Sequence, residues 1–149
     1  MQAITIMSPA FSADAMIPAR FTCDGQNISP PLEIGIVPAG TKTLALIMDD
    51  PDAPSGLWVH RVKFNMPPNT RFIAEGKEPP GTAGVGSGGN LKYYGPCPPS
   101  GTHHYYFKIY ALDNELALSP GATADELEAV MDGHMLGYGQ LVGVYYRHE

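Results

Sequence analysis

The chain has 149 residues, and its 17 glycines and 15 prolines exclude a helical bundle or coiled coil, because both residue types interrupt helices. The 44% share of hydrophobic residues argues against a disordered glycine- and proline-rich tract, so the composition predicts a compact, turn-rich domain with much β-structure. Nine lysines and arginines against fifteen acidic residues, with no basic run, argue against a nucleic-acid-binding protein.

The chain shows no targeting or membrane pattern. Its start has no basic segment leading into an apolar stretch, and no run of ~20 apolar residues follows, so we expect a cytoplasmic protein without integral membrane association. The length predicts a single domain over residues 1–149. Two cysteines, Cys23 and Cys97, imply no disulfide framework, and in a reducing cytosol both are predicted to be thiols.

The first half of the chain predicts short strands between turns. Residues 3–6 alternate apolar and polar side chains, and residues 29–34 are extended because of Pro30 and Pro31. The apolar run at residues 43–48 predicts a strand buried on both faces. Residues 58–66 alternate as a further strand. One face of that strand is predicted to carry Trp58, His60, Val62, Phe64 and Met66.

The second half predicts two strands and one helix. Residues 104–112 and 141–146 have strand character, and a capping box at Thr123 and Glu126 predicts a helix start. The helix is predicted to end at Gly137 or Gly139. Its apolar face would carry Leu127, Val130, Met131, His134 and Met135, with His134 packing against the sheet or a dimer partner rather than a ligand.

A carboxylate-rich turn and a histidine are candidate site residues. Asp50 and Asp52 follow the buried strand, and Pro51 and Pro54 restrict the backbone around them. A strand–loop–strand return would bring Asp50 or Asp52 beside His60, fixing its tautomer and stabilising its imidazolium. The alternatives are a rigid polar turn and a histidine satisfied within the core.

A stiff loop leads into a pair of histidines. Residues 95–101 hold three prolines and two glycines, which indicates that the backbone shape of the loop matters. In the strand that follows, alternation directs His103 and Tyr105 inward and leaves His104 solvated. Cys97 with His103 could act as a thiol nucleophile, but the flanking prolines favour packing for Cys97.

Two apparent motifs point to no cofactor. Residues 84–89 match the glycine pattern of a dinucleotide-binding loop, but no strand or helix flanks them, so a flexible loop is favoured. His60, His103, His104 and the nearby aspartates could form a metal site. No HExxH or HxH pattern is present, so neither a metal nor a cofactor is predicted.

Taken in order, these motifs resemble the phosphatidylethanolamine-binding protein family, in its prokaryotic Raf-kinase-inhibitor-like branch. The similarity rests on residues 50–54, 58–60 and 95–105, with further agreement at 22–32 and 132–145. It implies a mainly β fold, a β-sandwich of two largely antiparallel sheets with one or two helices on the C-terminal side. It also implies a small anion-binding pocket that would include Asp50, Asp52, Pro54, Trp58, His60, Gly95, Cys97, Pro98, Pro99, His103 and Tyr105.

The resemblance implies a binding or regulatory protein whose ligand is a small phosphate-like or carboxylate anion. A phosphorylated protein or a kinase would be a further partner, and a homodimer is an additional expectation. His60, His103, Tyr105 and the amides of Gly95 and Cys97 would donate to the anion, with Asp50 behind a histidine. His104 stands where the family usually has arginine. The alternatives are a small hydrolytic or metal-assisted enzyme and a structural protein with a vestigial pocket.

Overall fold

A computed structural model describes residues 1–147, in which nine strands form two sheets and one α-helix covers part of the larger sheet. A 3-10 helix spans Ala19–Phe21, and the α-helix, α1, spans Ala124–Met131. The strands are β1 (Gln2–Ala3), β2 (Ile6–Met7), β3 (Leu32–Ile34), β4 (Thr43–Asp50), β5 (Trp58–Met66), β6 (Phe72–Ile73), β7 (Thr82–Ala83), β8 (His103–Leu112) and β9 (Met135–Tyr145).

The two sheets differ in size. The larger has the strand order β1-β9-β8-β4-β5-β7, and the smaller has the order β2-β3-β6. Neighbouring strands are antiparallel, except that β1 runs parallel to β9. The mainly β, two-sheet fold expected from the sequence is confirmed.

Apolar side chains fill both sides of the central strand β4. Leu44, Leu46 and Met48 belong to the core between the two sheets. Ala45 and Ile47 belong to a second core beneath α1. Every residue of β4 is buried, because the strand lies in the middle of the larger sheet and each face is covered. The prediction of a strand buried on both faces is confirmed, and the strand extends two residues further, to Asp50.

Strand β5 departs from the predicted alternation because its pairing with β4 shifts register at two places, each of which adds one residue to β5. Met48 pairs with Arg61 and Asp49 pairs with Val59, so His60 is the extra residue of a β-bulge. Val62 and Phe64 therefore pack beneath α1, whereas His60 turns toward a cavity at the end of the sheet. Met66 packs between the two sheets, so the predicted common face of Trp58, His60, Val62, Phe64 and Met66 is wrong.

Helix α1 begins as predicted and ends early. The Thr123 hydroxyl accepts from the Glu126 amide, and the Glu126 carboxylate accepts from the Thr123 amide, which completes the capping box. The helix stops at Met131, because Gly133 has a φ of 81° that reverses the chain into β9. His134 therefore lies beyond the helix, exposed and 2.9 Å from an Asp113 carboxylate oxygen, and Met135 begins a strand.

The chain at residues 3–6 does not form the predicted strand. It passes from β1 in the larger sheet to β2 in the smaller one. Between them Ile4 is buried in the core that both sheets share. A four-residue segment that links two sheets cannot pair along one of them over its whole length.

The glycine-rich segment at residues 84–89 is also ordered along a strand edge. The Gly84 amide donates to the Val62 carbonyl, and the Ser87 amide donates to the Val59 carbonyl. At Gly84 an added Cβ would lie 2.5 Å from the Ala122 carbonyl oxygen, so glycine permits this close approach. The expected flexible loop is instead a strap that continues β7 beside β5.

The two cysteines, expected to be thiols, form a disulfide between Cys23 and Cys97. They are 74 residues apart in the chain, and no local pattern indicates that they meet. Within the described residues no helix is long and apolar enough to cross a membrane.

Candidate functional site

A cavity of about 370 Å³ lies at one end of the larger sheet. Strand β4 is antiparallel to both neighbours, so its last residue, Asp50, lies beside the first residues of β5 and β8. Trp58 and His60 enter the cavity from β5, and His103 and Tyr105 enter it from β8. Sheet topology thus brings together residues that are far apart in the sequence.

Two loops complete the walls of this cavity, called here the main pocket. One contributes Ala53, Pro54 and Ser55, and the other contributes Tyr94, Cys97, Pro98 and Pro99. Nine of the eleven predicted site residues line it: Asp50, Pro54, Trp58, His60, Cys97, Pro98, Pro99, His103 and Tyr105. Ala53, Ser55 and Tyr94 also line it, and each is adjacent to a predicted residue or loop.

Asp50 and His103 form a buried pair in the pocket wall. His103 Nδ1 lies 2.7 Å from Asp50 Oδ2, and His103 Nε2 lies 3.1 Å from the Ser100 carbonyl oxygen. Both partners are hydrogen-bond acceptors, so both bonds form together only when the ring carries two protons. Asp50 Oδ1 also accepts from the Asp52 amide at 2.8 Å. The expectation that Asp50 stands behind a histidine holds for His103. Asp50 also lies close enough to His60 to favour its imidazolium, but the tautomer of His60 is fixed by the Tyr94 carbonyl and not by a carboxylate.

His60 is held by a backbone carbonyl instead of a carboxylate. Its Nδ1 donates to the Tyr94 carbonyl oxygen at 2.6 Å, and the ring meets Tyr105 edge-on with centroids 5.4 Å apart. Burial lowers the pKa of His60, more than the Tyr94 carbonyl and the carboxylates of Asp50 and Asp49 raise it. The neutral ring therefore keeps its proton on Nδ1 and presents Nε2 as an acceptor.

Tyr105 places a hydroxyl-bearing ring between the two histidines. Its ring also stacks on His103, with centroids 6.4 Å apart and 22° between the planes. Burial, reinforced by the Asp50 carboxylate, raises the pKa of the hydroxyl above its ordinary value. The hydroxyl thus stays protonated and is available as a donor at any physiological pH.

Asp52 and Gly95, also predicted to bind the ligand, do not line the pocket. Asp52 Oδ2 accepts from the His104 amide at 2.8 Å and contacts His104 Nδ1 at 2.7 Å, and these bonds lower the pKa of Asp52. This exposed contact ties the loop after β4 to β8. The Gly95 amide donates to Asn27 Oδ1 at 2.8 Å, so it is not available to an anion.

The disulfide fixes the second loop in place. It joins Cys97 to Cys23, whose amide donates to the Pro96 carbonyl at 3.1 Å. The Tyr93 hydroxyl adds a bond to the Phe21 carbonyl at 2.6 Å. With its sulfur in the disulfide, Cys97 supplies a wall of the pocket and no thiolate.

The lining of the pocket is mostly apolar, with a small set of polar groups. Its lining residues include no lysine or arginine, and Pro98 and Pro99 have no amide hydrogen. Donors to an anion therefore come from His60 when it is protonated and from the Tyr105 hydroxyl. Both ring nitrogens of His103 already face protein acceptors, so the prediction that His103 donates to the anion is wrong. Among residues 1–147, no group of three or more histidine, cysteine or acidic side chains is placed to hold a metal ion.

The chain is similar in sequence to one protein family and to several individual proteins. A family model described as phosphatidylethanolamine-binding protein matches residues 7–146. A UPF0098 protein of Methanothermobacter thermautotrophicus is 48% identical, over 97% of this chain and 99% of its own length. A Mycobacterium tuberculosis protein named as lipoprotein LppC is 43% identical, over 95% of this chain and 72% of its own length.

Solved structures show the same fold. The crystal structure of a phosphatidylethanolamine-binding protein homologue from Chlamydia trachomatis matches with a TM-score of 0.94 and 38% identity. The match covers 99% of this chain and 100% of the homologue. Escherichia coli YbcL matches with a TM-score of 0.89 and 26% identity, over 97% of this chain and 99% of its own.

Proposed function

Because this chain belongs to the phosphatidylethanolamine-binding protein family, we propose that it is a binding protein whose main pocket, from here on called the anion pocket, takes a small phosphate-type or carboxylate anion. The observation that carries the proposal is the buried pair of His60 and Tyr105, beside the Asp50–His103 pair, in a mostly apolar cavity. Buried polar groups need hydrogen-bond partners. An anion that accepts from Tyr105 and from protonated His60 would supply them.

His60 makes this binding depend on pH. Neutral His60 offers a lone pair at Nε2, which repels an anionic oxygen, whereas the imidazolium donates from Nε2 and keeps its bond to Tyr94. The bound anion and the nearby Asp50 and Asp49 carboxylates stabilise the imidazolium, whereas burial and His103 oppose it. Binding is therefore accompanied by proton uptake at His60 and strengthens as pH falls.

Asp50 would repel the anion if its charge were not balanced. The carboxylate contacts His103 Nδ1 and accepts the Asp52 amide, so both of its oxygens are already engaged. The His103 ring and the Asp52 amide therefore face this carboxylate in place of the ligand. The pair then acts as a rigid support, and Asp50 positions His103 without touching the ligand.

The test is a calorimetric titration with sulfate, whose charge is constant between about pH 5.5 and about pH 7.5, where histidine titrates. We expect tighter binding at the lower pH and proton uptake in buffers of different ionisation enthalpy. His60→Ala should abolish both effects, and His134→Ala, which removes an exposed histidine outside the pocket, should preserve them. Sulfate binding that is unchanged in His60→Ala would overturn the proposal.

The fluorescence of Trp58 gives a second measurement, because it is the single tryptophan of the chain and lines the pocket. An occupied pocket should shift or quench its emission with the same affinity that calorimetry reports. Failure of the emission to respond to an anion that binds by calorimetry would place that anion elsewhere on the protein.

We further propose a kinase-inhibitor-like role toward a phosphorylated partner. Membership of the family supports this role. If a phosphorylated partner binds through the pocket, free sulfate should compete with a phosphopeptide in the Trp58 assay, and the unphosphorylated peptide should not bind. Equal binding of the two peptides would contradict this role.

A further inference from the structure

We propose that a second cavity beside the anion pocket receives an aromatic ring of the ligand, so that the protein selects small aryl phosphate-type or carboxylate anions over alkyl ones. This inference rests on the proposed anion binding and names the ligand class of the site. The second cavity, called here the ring subsite, has a volume of about 240 Å³ and is lined by Trp58, Gly88, Asn90 and Tyr94.

The ring subsite adjoins the anion pocket. Trp58 and Tyr94 line both cavities, so a ligand that lies against these two side chains can contact both. An apolar cavity of about 150 Å³ holds benzene, so the volume here is sufficient for one ring. Trp58 is 37% exposed and Tyr94 is 45% exposed, which leaves aromatic surface for a ligand to cover.

The floor of the ring subsite is rigid. Asn90 Nδ2 donates to the His60 carbonyl at 2.6 Å and to the Lys92 carbonyl at 2.8 Å. The Gly86 amide donates to the Asn90 carbonyl at 2.8 Å, and the Ser87 side chain accepts from the Val59 amide at 2.8 Å. The strap is thus attached to the same strand that supplies His60, and the two cavities keep a fixed relation.

Gly88 keeps the ring subsite open. A Cβ at this position would lie 3.6 Å from Trp58 Cζ2 and 3.5 Å from Asn90 Oδ1, which are ordinary contacts. Any longer side chain would extend between Trp58 and Asn90 and fill the space. The backbone of Gly88 does not have a positive φ, so a larger residue there causes no conformational strain.

The walls select a neutral aromatic group. Trp58 and Tyr94 offer ring faces and edges, which pair favourably with another aromatic ring. Both Nδ2 hydrogens of Asn90 are used within the protein, so its side chain offers a ligand only the acceptor oxygen. A second anionic group would meet that oxygen and lose its hydration without a donor.

The experiment compares methylphosphonate, hexylphosphonate and phenylphosphonate by calorimetry and Trp58 emission. The wild type should bind phenylphosphonate about tenfold more tightly than methylphosphonate, because the ring buries apolar surface. Gly88→Leu should remove this preference and leave methylphosphonate affinity unchanged, and Gly88→Ala should have a small effect.

The outcomes separate the two proposals. If methylphosphonate binds and phenylphosphonate binds no better, or if Gly88→Leu retains the full preference, the ring subsite is overturned and the anion pocket stands. Tighter binding of hexylphosphonate than phenylphosphonate overturns the aryl selectivity in favour of an aliphatic group. If none of the three binds, both proposals fail.

Discussion

At the scale of single residues, neighbouring aspartates at the end of β4 have different surroundings. Asp50 faces the anion pocket, whereas Asp49 points to the other face of the sheet and contacts Lys108 Nζ at 2.8 Å. Asp49 is 1% exposed, and its Oδ1 has no hydrogen-bond partner among the described residues. Burial raises the pKa of Asp49 more than Lys108 lowers it. Lys108 is therefore the group that makes a charged Asp49 tolerable.

Replacing Lys108 should show how far the stability of the protein depends on its contact with Asp49. Lys108→Met leaves the Asp49 charge buried and unpaired, and we expect it to lower the free energy of unfolding by about 2–4 kcal/mol at neutral pH. Urea denaturation measures the loss. The double variant with Asp49→Asn should recover part of it, and a single variant as stable as the wild type would show that the pair contributes little.

His60 should also affect the pH dependence of stability. Its lowered pKa means that the unfolded chain binds a proton more readily than the folded protein just below pH 6.5. The free energy of unfolding should therefore fall as pH drops through this range in the absence of ligand. The difference between wild type and His60→Gln isolates this contribution, and a difference that is independent of pH would contradict it.

At the scale of elements, glycines determine where strands approach each other closely. Gly139 in β9 faces the crossing chain near β1, and a Cβ there would overlap the Ile4 carbonyl oxygen and lie 2.8 Å from its carbonyl carbon. Both are backbone atoms of a residue that is fixed in place, since the Ile4 amide donates a hydrogen bond to the Tyr138 carbonyl at 2.9 Å. They cannot move aside as a flexible side chain would.

Substitution of Gly139 by alanine should therefore be costly. We expect Gly139→Ala to lower the free energy of unfolding by about 2–4 kcal/mol, because β9 or the crossing chain has to shift. Thermal and urea denaturation provide the measurement. Gly88→Ala is the matched control, because its Cβ makes only ordinary contacts, and equal effects of the two variants would contradict the steric argument.

At the scale of the whole molecule, the disulfide joins the N-terminal segment to the pocket loop. It closes a loop of 74 residues between Cys23 and Cys97. The segment around it is also linked to the end of β9, since the Tyr145 hydroxyl donates to Asp24 Oδ2 at 2.6 Å. Disulfides are rare in the cytosol. The cytoplasmic location stays a prediction, and measuring whether these two cysteines are oxidised in cells would test it.

Removing the covalent link should weaken the fold. We expect the double variant Cys23→Ser, Cys97→Ser to lose about 2–4 kcal/mol of stability, because the unfolded chain gains freedom. A reductant should lower the melting temperature of the wild type and leave the double variant unchanged. If the wild type melts at the same temperature with and without reductant, the link contributes nothing measurable.

Much of the site followed from local sequence. The buried run of β4, the capping box of α1 and the alternation of β8 are properties of a few adjacent residues, and the structure has all three. The inward placement of His103 and Tyr105 needed only the two-residue period of a strand. The proline-rich loops also lie where their composition placed them, around one cavity.

Tertiary structure decided what each polar group contacts. The bulge at His60 redirects its side chain, because the partner strand has one residue fewer, and no pattern within β5 shows this. The choice of His103 over His60 as the partner of Asp50 depends on strand order, and the disulfide depends on two distant segments meeting. Sequence by itself determined where the long strands β4, β5 and β8 lie, since strand character is local. Pairing across the sheet determined their partners, since it joins residues far apart in the chain.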